Sequence, residues 1–201
     1  MSRDDETLRV YDARAAEYAR VTHTDTPGPL LAAFITALPP GARVLDLGCG
    51  PGVDAGHMAA AGLVVEALDA SAAMVAQARK RHGVAARQAD FDDFVAEGHD
   101  GAYHGIWANF SLLHAPEASL PAYLAAIHDA LRPGGQFHIA VKSGTGSRRD
   151  ELGRIYTYYT PDGLATLLSN TGLKPLAHAA GREPGLDGKP ADWIAIRATR
   201  A

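Results

Sequence analysis

The stretch at residues 44–52 constrains the fold of this chain more than any other. It reads VLDLGCGPG, an apolar run that contains one acid, Asp46, and continues into three glycines at alternate positions. A short apolar run bounded by glycines is typical of a buried parallel strand. Pro51 suits the first turn of a helix, and glycines let a ligand approach the backbone closely. The stretch therefore predicts a strand, a ligand-binding turn and the start of a helix.

Two familiar nucleotide-binding loops fit this stretch poorly. The phosphate-binding P-loop ends in Gly-Lys-Ser or Gly-Lys-Thr, and this chain has neither at that place. The dinucleotide fingerprint has a third glycine where this chain has Val53. No Lys or Arg stands between Asp46 and Gly52, so the turn favours a cationic ligand without phosphate. The structural alternative is a tight turn that packs a strand against a helix and binds nothing.

Residues 46–52 resemble motif I of the class I (Rossmann-like) S-adenosylmethionine-dependent methyltransferases. The ammonium and sulfonium groups of that cofactor explain the acid before the glycines. Asp69, at the end of the next predicted strand, is placed to accept hydrogen bonds from both hydroxyls of a ribose. Asp90 and Phe91 resemble the family's adenine-binding element, in which a carboxylate accepts from the amino group and a ring covers the base.

The residues after Asp69 predict a helix that begins beside the cofactor. Ser71 is the expected N-cap of a helix at residues 72–82, which leaves Asp69 for the ligand. Met74 lies one turn into this helix, in the core or against the adenosine. Asn109 ends the fourth predicted strand, which faces the methyl donor in the family. The predicted cofactor site comprises Asp46, Gly48, Gly50, Gly52, Asp69, Ser71, Met74, Asp90, Phe91 and Asn109.

The residues expected on the acceptor side come from three separate stretches. Residues 8–21 have apolar side chains at three- and four-residue steps, which predicts an amphipathic helix. Its tyrosines are either half-buried core residues or pocket residues, and His114 is either a base or a residue that orders its loop. Residues 142–159 form a candidate lid. No catalytic residue is assigned from the sequence; the candidates are Tyr11, Tyr18, His114 and Tyr156.

The lid stretch also contains three arginines, Arg148, Arg149 and Arg154. In one interpretation they hold a carboxylate or phosphate of a small anionic substrate. In the other they form a solvated surface and pair with Asp150 and Glu151. The second interpretation is favoured because exposed charge runs usually behave in this way.

Five predicted strands alternate with helices along the chain and are followed by a final pair of strands. This order predicts an α/β fold with a doubly wound, mainly parallel seven-stranded sheet, helices on both faces, an antiparallel last strand and an N-terminal helical cap. A length of 201 residues suits a single domain. We divide it into the cap at residues 1–40, a cofactor-binding core at 41–142, and a substrate-side lid with the terminal strands at 143–201.

The composition favours a small-molecule partner. Charged residues make up 21% of the chain and the formal net charge is −4, which gives no general attraction to nucleic acid. The only cysteine, Cys49, has no second thiol for a disulfide or a metal site, which suits a reducing cytoplasm. No apolar stretch is typical of a signal peptide or a membrane span. We expect a cytoplasmic monomer or homodimer with no metal and with no nucleic-acid or membrane partner.

The predicted function is methyl transfer from S-adenosylmethionine to a small-molecule acceptor. Nucleic-acid and protein-glutamine methyltransferases of one large group carry Asn-Pro-Pro-Tyr where residues 109–112 read NFSL, which disfavours base or amide methylation. Because the sulfonium is already a good leaving group, the protein mainly has to align the reactants. The alternatives are a non-catalytic S-adenosylmethionine-binding module and, less favoured, a nucleotide-dependent oxidoreductase.

Overall fold

Residues 3–201 are described by this computed structural model, and helices and strands alternate along them. The helices are α1 (Asp5–Val21), α2 (Pro29–Thr36), α3 (Val53–Ala60), α4 (Ala72–His82), α5 (Phe91–Glu97), α6 (Leu120–Ala130) and α7 (Pro161–Asn170). The strands are β1 (Arg43–Leu47), β2 (Val64–Asp69), β3 (Ala85–Gln88), β4 (Tyr103–Asn109), β5 (Leu131–Lys142), β6 (Ser147–Arg149), β7 (Ile155–Thr157), β8 (Leu173–Pro184) and β9 (Pro190–Arg200).

Seven of these strands form one sheet in the order β3-β2-β1-β4-β5-β9-β8. The pairs among the first five strands are parallel, and β9 is antiparallel to both β5 and β8. The strand order reverses between β1 and β4, and ligands of open α/β sheets bind at such a reversal. The predicted doubly wound sheet, with its antiparallel last strand, is confirmed.

Strand β1 lies in the middle of the sheet. Its side chains belong to two apolar clusters, one on each face. Val44 packs with Phe34, Met58 and Trp107 between the sheet and helices α2 and α3. Leu45 and Leu47 belong to the larger cluster that includes residues of α5, α6 and α7. Burial of both faces explains why the strand reads as a continuous apolar run. It also fixes the position of the glycine turn that follows.

Helix α1 is longer than the sequence pattern predicts and is anchored at its start and near its middle. The Asp4 carboxylate caps it by accepting from the Thr7 amide at 2.8 Å, so the helix begins at Asp5 rather than Leu8. Near the middle of the helix, Asp12 accepts from the Ser71 hydroxyl at 2.5 Å and from the Ala73 amide at 3.3 Å. These contacts fix α1 against the start of α4, above the carboxyl ends of the strands.

The lid contains a small hairpin that the sequence does not predict. Strands β6 and β7 pair with each other in antiparallel fashion, apart from the main sheet. Each has only three residues, and an exposed run with two arginines gives little strand signal. Among residues 3–201, no helix has both the length and the apolar character needed to cross a membrane.

Candidate active site

A cavity of about 540 Å³ opens at the carboxyl ends of β1, β2 and β4, beneath α1. It lies where the strand order reverses, as the fold leads one to expect. Most of the residues predicted for cofactor and acceptor contribute to its wall. The predicted residues that line it are Tyr11, Tyr18, Gly48, Gly50, Asp69, Met74, Asp90, Phe91, Asn109 and His114.

The glycine turn is held open towards this cavity by hydrogen bonds to β2. The Gly48 and Cys49 amides donate to the Leu68 carbonyl at 2.8 and 2.9 Å, and the Gly50 amide donates to Asp69 Oδ2 at 2.8 Å. Gly48 has a φ of +81°, and a Cβ there would lie 2.3 Å from Ser111 Cβ, so the position requires glycine.

The third glycine has a different role from the one predicted. A Cβ on Gly52 would lie 2.7 Å from Ala78 Cβ on α4, and Gly52 is not part of the cavity wall. It lets α3 pack closely against α4. The sequence placed it in the cofactor site because the glycines alternate, whereas only the first two face the cavity.

Asp69 is held in the cavity wall by two backbone amides. Its two carboxylate oxygens accept from the Gly50 and Ser71 amides, each at 2.8 Å. Burial raises the pKa of Asp69 to about 6, although both amide hydrogen bonds favour the ionised form. Ser71 rather than Asp69 caps α4, as predicted, and the role of Asp69 towards a ligand stays a prediction. Each oxygen still has a further lone pair for a ligand.

Ser71 itself does not reach the cavity. Its hydroxyl caps α4 by accepting from the Met74 amide at 3.1 Å, as predicted, and donates to Asp12 at 2.5 Å. Both functions of the side chain are thereby occupied, and the residue is buried. Ser71 therefore joins α1 to α4. Its assignment to the cofactor site is corrected, because it does not line the cavity.

Three acids, Asp46, Asp54 and Asp69, form an acidic cluster under the cavity. Asp46 is buried, and its Oδ2 atom has no hydrogen-bond partner among the described residues. Burial, followed by repulsion from Asp54 and Asp69, raises the pKa of Asp46 well above its ordinary value. Burial also raises the pKa of Asp54. A nearby cation would reduce the repulsion among these three carboxylates.

Asp54 is a site residue that sequence reasoning missed. It lies in the first turn of α3 and lines the cavity. Its Oδ2 atom accepts from Trp107 Nε1 at 2.7 Å and from Asn109 Nδ2 at 3.3 Å. Asn109 Oδ1 in turn lies 3.2 Å from His138 Nε2. An acid two residues after the last glycine is the only signal in the sequence that points to Asp54.

The predicted adenine residues lie together in the wall of the cavity. Asp90 and Phe91 are joined there by Met74 of α4. Asp90 also caps α5, because its Oδ1 accepts from the Asp93 amide at 2.9 Å while Asp93 Oδ2 accepts from the Asp90 amide at 3.0 Å. One carboxylate oxygen of Asp90 is thus structural, and Oδ2 is outside this capping box.

Tyr11 and His114 form a hydrogen-bonded pair on the acceptor side of the cavity. Tyr11 Oη lies 2.8 Å from His114 Nε2, and His114 Nδ1 lies 2.7 Å from the Ile155 carbonyl oxygen. Burial lowers the pKa of His114 to about 4 and raises the pKa of Tyr11 and of Tyr18. His114 therefore both orders its loop and faces the cavity.

Tyr156 stands behind this pair and does not line the cavity. Its ring packs against the His114 ring, with centroids 4.8 Å apart, and lies 3.7 Å from the Lys142 ammonium nitrogen. The residue is buried. Its assignment as an acceptor-side candidate is corrected to that of a supporting residue, because β7 directs its side chain between His114 and Lys142.

The three lid arginines have partners within the protein. Arg154 is buried, with its Nη2 2.6 Å from Asp150 Oδ2, and its Nη1 lies 3.4 Å from Tyr11 Oη. Arg149 pairs with Asp4 at 2.6 Å, and the Arg148 guanidinium lies 3.7 Å from the Tyr158 ring centroid. Pairing therefore describes them better than anion binding, although Arg154 and Asp150 are buried rather than solvated.

The fold and this cavity define a Rossmann-like domain with a buried acidic cluster beside its cavity. Comparisons with known proteins agree. Residues 44–135 match the family model described as a methyltransferase domain. A solved structure of 1,6-didemethyltoxoflavin-N1-methyltransferase from Burkholderia thailandensis, with bound 1,6-didemethyltoxoflavin and S-adenosylhomocysteine, is 25% identical with a TM-score of 0.72. The match covers 100% of this chain and 92% of that one.

Two curated relatives are similar over part of their length. The cypemycin N-terminal methyltransferase of a Streptomyces species is 36% identical over 132 residues, which is 63% of this chain and 54% of that protein. The malonyl-[acyl-carrier protein] O-methyltransferase of Erwinia billingiae is 36% identical over 96 residues, 48% of this chain and 37% of that protein. The chain thus spans about half the length of these relatives, or less.

The model match takes in just under half of the chain, and together these comparisons support a class I (Rossmann-like) S-adenosylmethionine-dependent methyltransferase. They agree with the predicted family and with S-adenosylmethionine as the predicted cofactor. The residues present fit this cofactor, because the unpartnered Asp46 oxygen and the raised pKa values of the acidic cluster favour a cation. Within residues 3–201, no three His, Cys, Asp or Glu side chains converge in a way that would hold a metal ion.

Proposed function

We propose that the chain transfers the methyl group of S-adenosylmethionine to a small-molecule acceptor. The observation that carries this proposal is the acidic cluster beside the glycine turn. Bound S-adenosylmethionine supplies a methyl group activated by a positively charged sulfur. Asp46 and Asp54 stabilise that charge and the ammonium group, because ionised carboxylates in a buried site interact strongly with a cation.

The remaining cofactor contacts follow from the wall of the cavity. Asp69 accepts from the ribose hydroxyls while its amide hydrogen bonds hold Gly50 and Ser71 in place. Asp90 and Phe91 bind the adenine, with Met74 at its side. Gly48 and Gly50 allow the close approach of the methionine part to the backbone. Asn109 positions Asp54 by donating to its carboxylate.

On the acceptor side, the protein contributes alignment and the exclusion of water. Tyr11 and His114 form a fixed wall, since each is half-buried and hydrogen-bonded. A wall of this kind holds the acceptor atom in line with the methyl group, which is the main requirement of the reaction. Tyr18, which lies beside Gly50, separates the cofactor from the solvent side of α1.

Calorimetric titration tests the cofactor assignment. We expect S-adenosylmethionine and S-adenosylhomocysteine to bind and NAD not to bind. Asp69→Ala should weaken S-adenosylhomocysteine binding by about 1–3 kcal/mol, because the hydrogen bonds to the ribose are lost. The matched control is Asp162→Ala in the exposed first turn of α7, which should leave the dissociation constant unchanged.

A screen of small-molecule acceptors, with release of S-adenosylhomocysteine as the readout, tests turnover. Binding of cofactor without turnover on any acceptor would favour the non-catalytic alternative, and tight NAD binding would favour the oxidoreductase. A cytoplasmic location, the absence of a nucleic-acid partner, a monomeric or homodimeric state, and the division of the chain at residues 40 and 142 stay predictions from the sequence.

A further inference from the structure

His138 is a buried residue of β5 that contacts both side chains whose hydrogen bonds hold Asp54. These two residues, Trp107 and Asn109, are two positions apart on β4, so their side chains share one face of the sheet. His138 is the register partner of Trp107 on the neighbouring strand. Its ring stacks on the Trp107 ring, with centroids 3.6 Å apart, and its Nε2 atom lies 3.2 Å from Asn109 Oδ1.

The Asp54 carboxylate fixes the orientation of the Asn109 amide. Asp54 Oδ2 already accepts from Trp107 Nε1 at 2.7 Å, so the group of Asn109 that faces this oxygen at 3.3 Å must be the amide nitrogen. The amide oxygen then faces His138, and this contact is a hydrogen bond only if His138 Nε2 carries the ring proton. With the proton on Nδ1 instead, two lone pairs would oppose each other there.

The surroundings of His138 keep its ring uncharged. The residue is 3% exposed, and burial lowers the pKa of the ring to about 3. A neutral imidazole has a single N–H, so the hydrogen bond to Asn109 uses the only ring proton that His138 can donate. The contribution of His138 is therefore the direction in which the Asn109 amide points.

The order of the strands relates Asp54 to one end of the proposed cofactor site. The proposed function assigns the adenine to Asp90, just after β3, and the ribose to Asp69, at the end of β2. The sheet continues from β2 to β1 and β4, so the glycine turn after β1 and Asn109 at the end of β4 come next. Asp54 lines the cavity and contacts Asn109. It therefore belongs to the end that is left for the methionine part and its ammonium group.

We propose that His138 is a positioning residue for cofactor binding. The hydrogen bond that it donates to Asn109 keeps the amide nitrogen of Asn109 on Asp54, and this holds the Asp54 carboxylate in place for the ammonium group. The assignment deepens the proposed function and rests on it. Without the His138 proton, the Asn109 amide is free to turn over and present its oxygen to Asp54. Asp54 then loses a hydrogen bond that favours its ionised form, and its attraction for a cation weakens.

Calorimetric titration of the whole protein with two ligands tests the proposal. S-adenosylhomocysteine carries the amino-acid part, whereas 5′-methylthioadenosine has the adenosine and the sulfur but no ammonium group. His138→Phe retains a flat ring against Trp107 and removes the donor. We expect this variant to bind S-adenosylhomocysteine about fivefold more weakly and 5′-methylthioadenosine as the parent does. His138→Gln, whose amide can donate to Asn109, should bind S-adenosylhomocysteine more tightly than His138→Phe.

His99→Phe is the matched control, because His99 also stacks on an aromatic ring, that of Phe94 with centroids 4.9 Å apart, and lies outside the cavity wall. It should retain the parent affinity for both ligands. An unchanged affinity of His138→Phe for S-adenosylhomocysteine, or an equal loss for both ligands, would overturn the proposal. So would a His138→Gln variant that binds no better than His138→Phe. The proposed function fails in a different way, since the parent would then not bind S-adenosylhomocysteine at all.

Nitrogen NMR of the histidine rings of the unliganded parent gives a readout that does not depend on any variant. Near pH 7 we expect a neutral His138 with its proton on Nε2. A proton on Nδ1 would contradict the proposal, because His138 could then not donate to Asn109.

Discussion

The two sides of the cavity are built in different ways. On the cofactor side, Gly48, Gly50 and Asp69 lie at the ends of neighbouring parallel strands, and backbone amides hold them in place. On the acceptor side, Tyr11 meets His114 across 103 positions of sequence and Arg154 across 143. Side chains rather than backbone amides make most of these acceptor-side contacts.

This difference separates what is common to the fold from what is particular to this chain. Strand ends and glycine turns recur wherever a doubly wound sheet binds a ligand. The acceptor wall depends on helix α1, on the loop after β4 and on the hairpin β6–β7, which meet only in the folded protein. We therefore expect variants of the acceptor wall to change stability and turnover, and variants of the strand ends to change cofactor affinity.

The largest expected effect is a loss of stability when the buried Arg154–Asp150 ion pair on the acceptor side is broken. Asp150→Ala leaves the Arg154 guanidinium buried without its partner. Loss of one partner of a buried ion pair typically costs about 3–5 kcal/mol, and we expect a loss of that size in the free energy of unfolding. Urea denaturation of the parent and variant measures it.

Glu151 provides a matched control for this variant. It stands next to Asp150 but pairs with Lys189 in an exposed ion pair, so Glu151→Ala should leave the unfolding midpoint nearly unchanged. The double variant Asp150→Leu with Arg154→Met should regain much of the lost stability, because it removes both charges. Equal effects of Asp150→Ala and Glu151→Ala would show that the pair does not anchor the acceptor side.

On the cofactor side, we expect the affinity for S-adenosylhomocysteine to depend on pH. Burial raises the pKa of Asp69 to about 6 from an ordinary value of 3.8, so the carboxyl takes up a proton as the pH falls through about 6. The ribose hydroxyls need the ionised form as acceptor. S-adenosylhomocysteine affinity should therefore be constant above about pH 7 and fall by up to about tenfold per pH unit below about 6.

The stability of the unliganded protein should respond to Asp69 with the opposite sign. A carboxyl whose pKa is higher in the folded state favours folding most below its unfolded value, and this contribution is lost as the pH rises through about 6. Calorimetry and urea denaturation of the parent and Asp69→Asn, over the same pH series, measure both trends. An affinity profile that is the same in Asp69→Asn would assign the pH dependence to another group.

The sequence predicts the cofactor side better than the acceptor side for a physical reason. Turns and strand ends are encoded locally, so residues 44–52 and Asp69 suffice to predict the edge of the sheet at which the cavity opens. Local patterns carry no information on which distant side chain fills a gap. The spacing therefore did not distinguish Gly52, which packs on Ala78, from Gly48 and Gly50, and it did not indicate that Arg154 is buried.

Asp54 and Tyr156 show two results of this lack of local information. Asp54 lines the cavity and was not predicted, whereas Tyr156 was predicted there and does not line it. Asp54 was missed because a single acid in the first turn of a helix is ordinary, and only its contacts with Trp107 and Asn109 show that it faces the cavity. Tyr156 was expected in the cavity because it belongs to a tyrosine cluster after a glycine-rich loop. Strand β7 instead turns its ring inward behind His114.

The smallest expected effect concerns Asp90, where structural and ligand-binding roles meet in one carboxylate. Asp90→Asn keeps the cap of α5, since Asn caps helices about as well as Asp, and should leave stability nearly unchanged. It weakens the acceptor that we propose for the adenine amino group. The preference for adenosine over inosine as competitors of S-adenosylhomocysteine binding should then fall by about 1 kcal/mol, or about fivefold. The matched control is Asp93→Asn, which alters the other half of the same capping box, lies outside the cavity wall and should retain the parent preference. If both variants keep that preference, the adenine is recognised elsewhere and the Asp90 carboxylate serves only the helix.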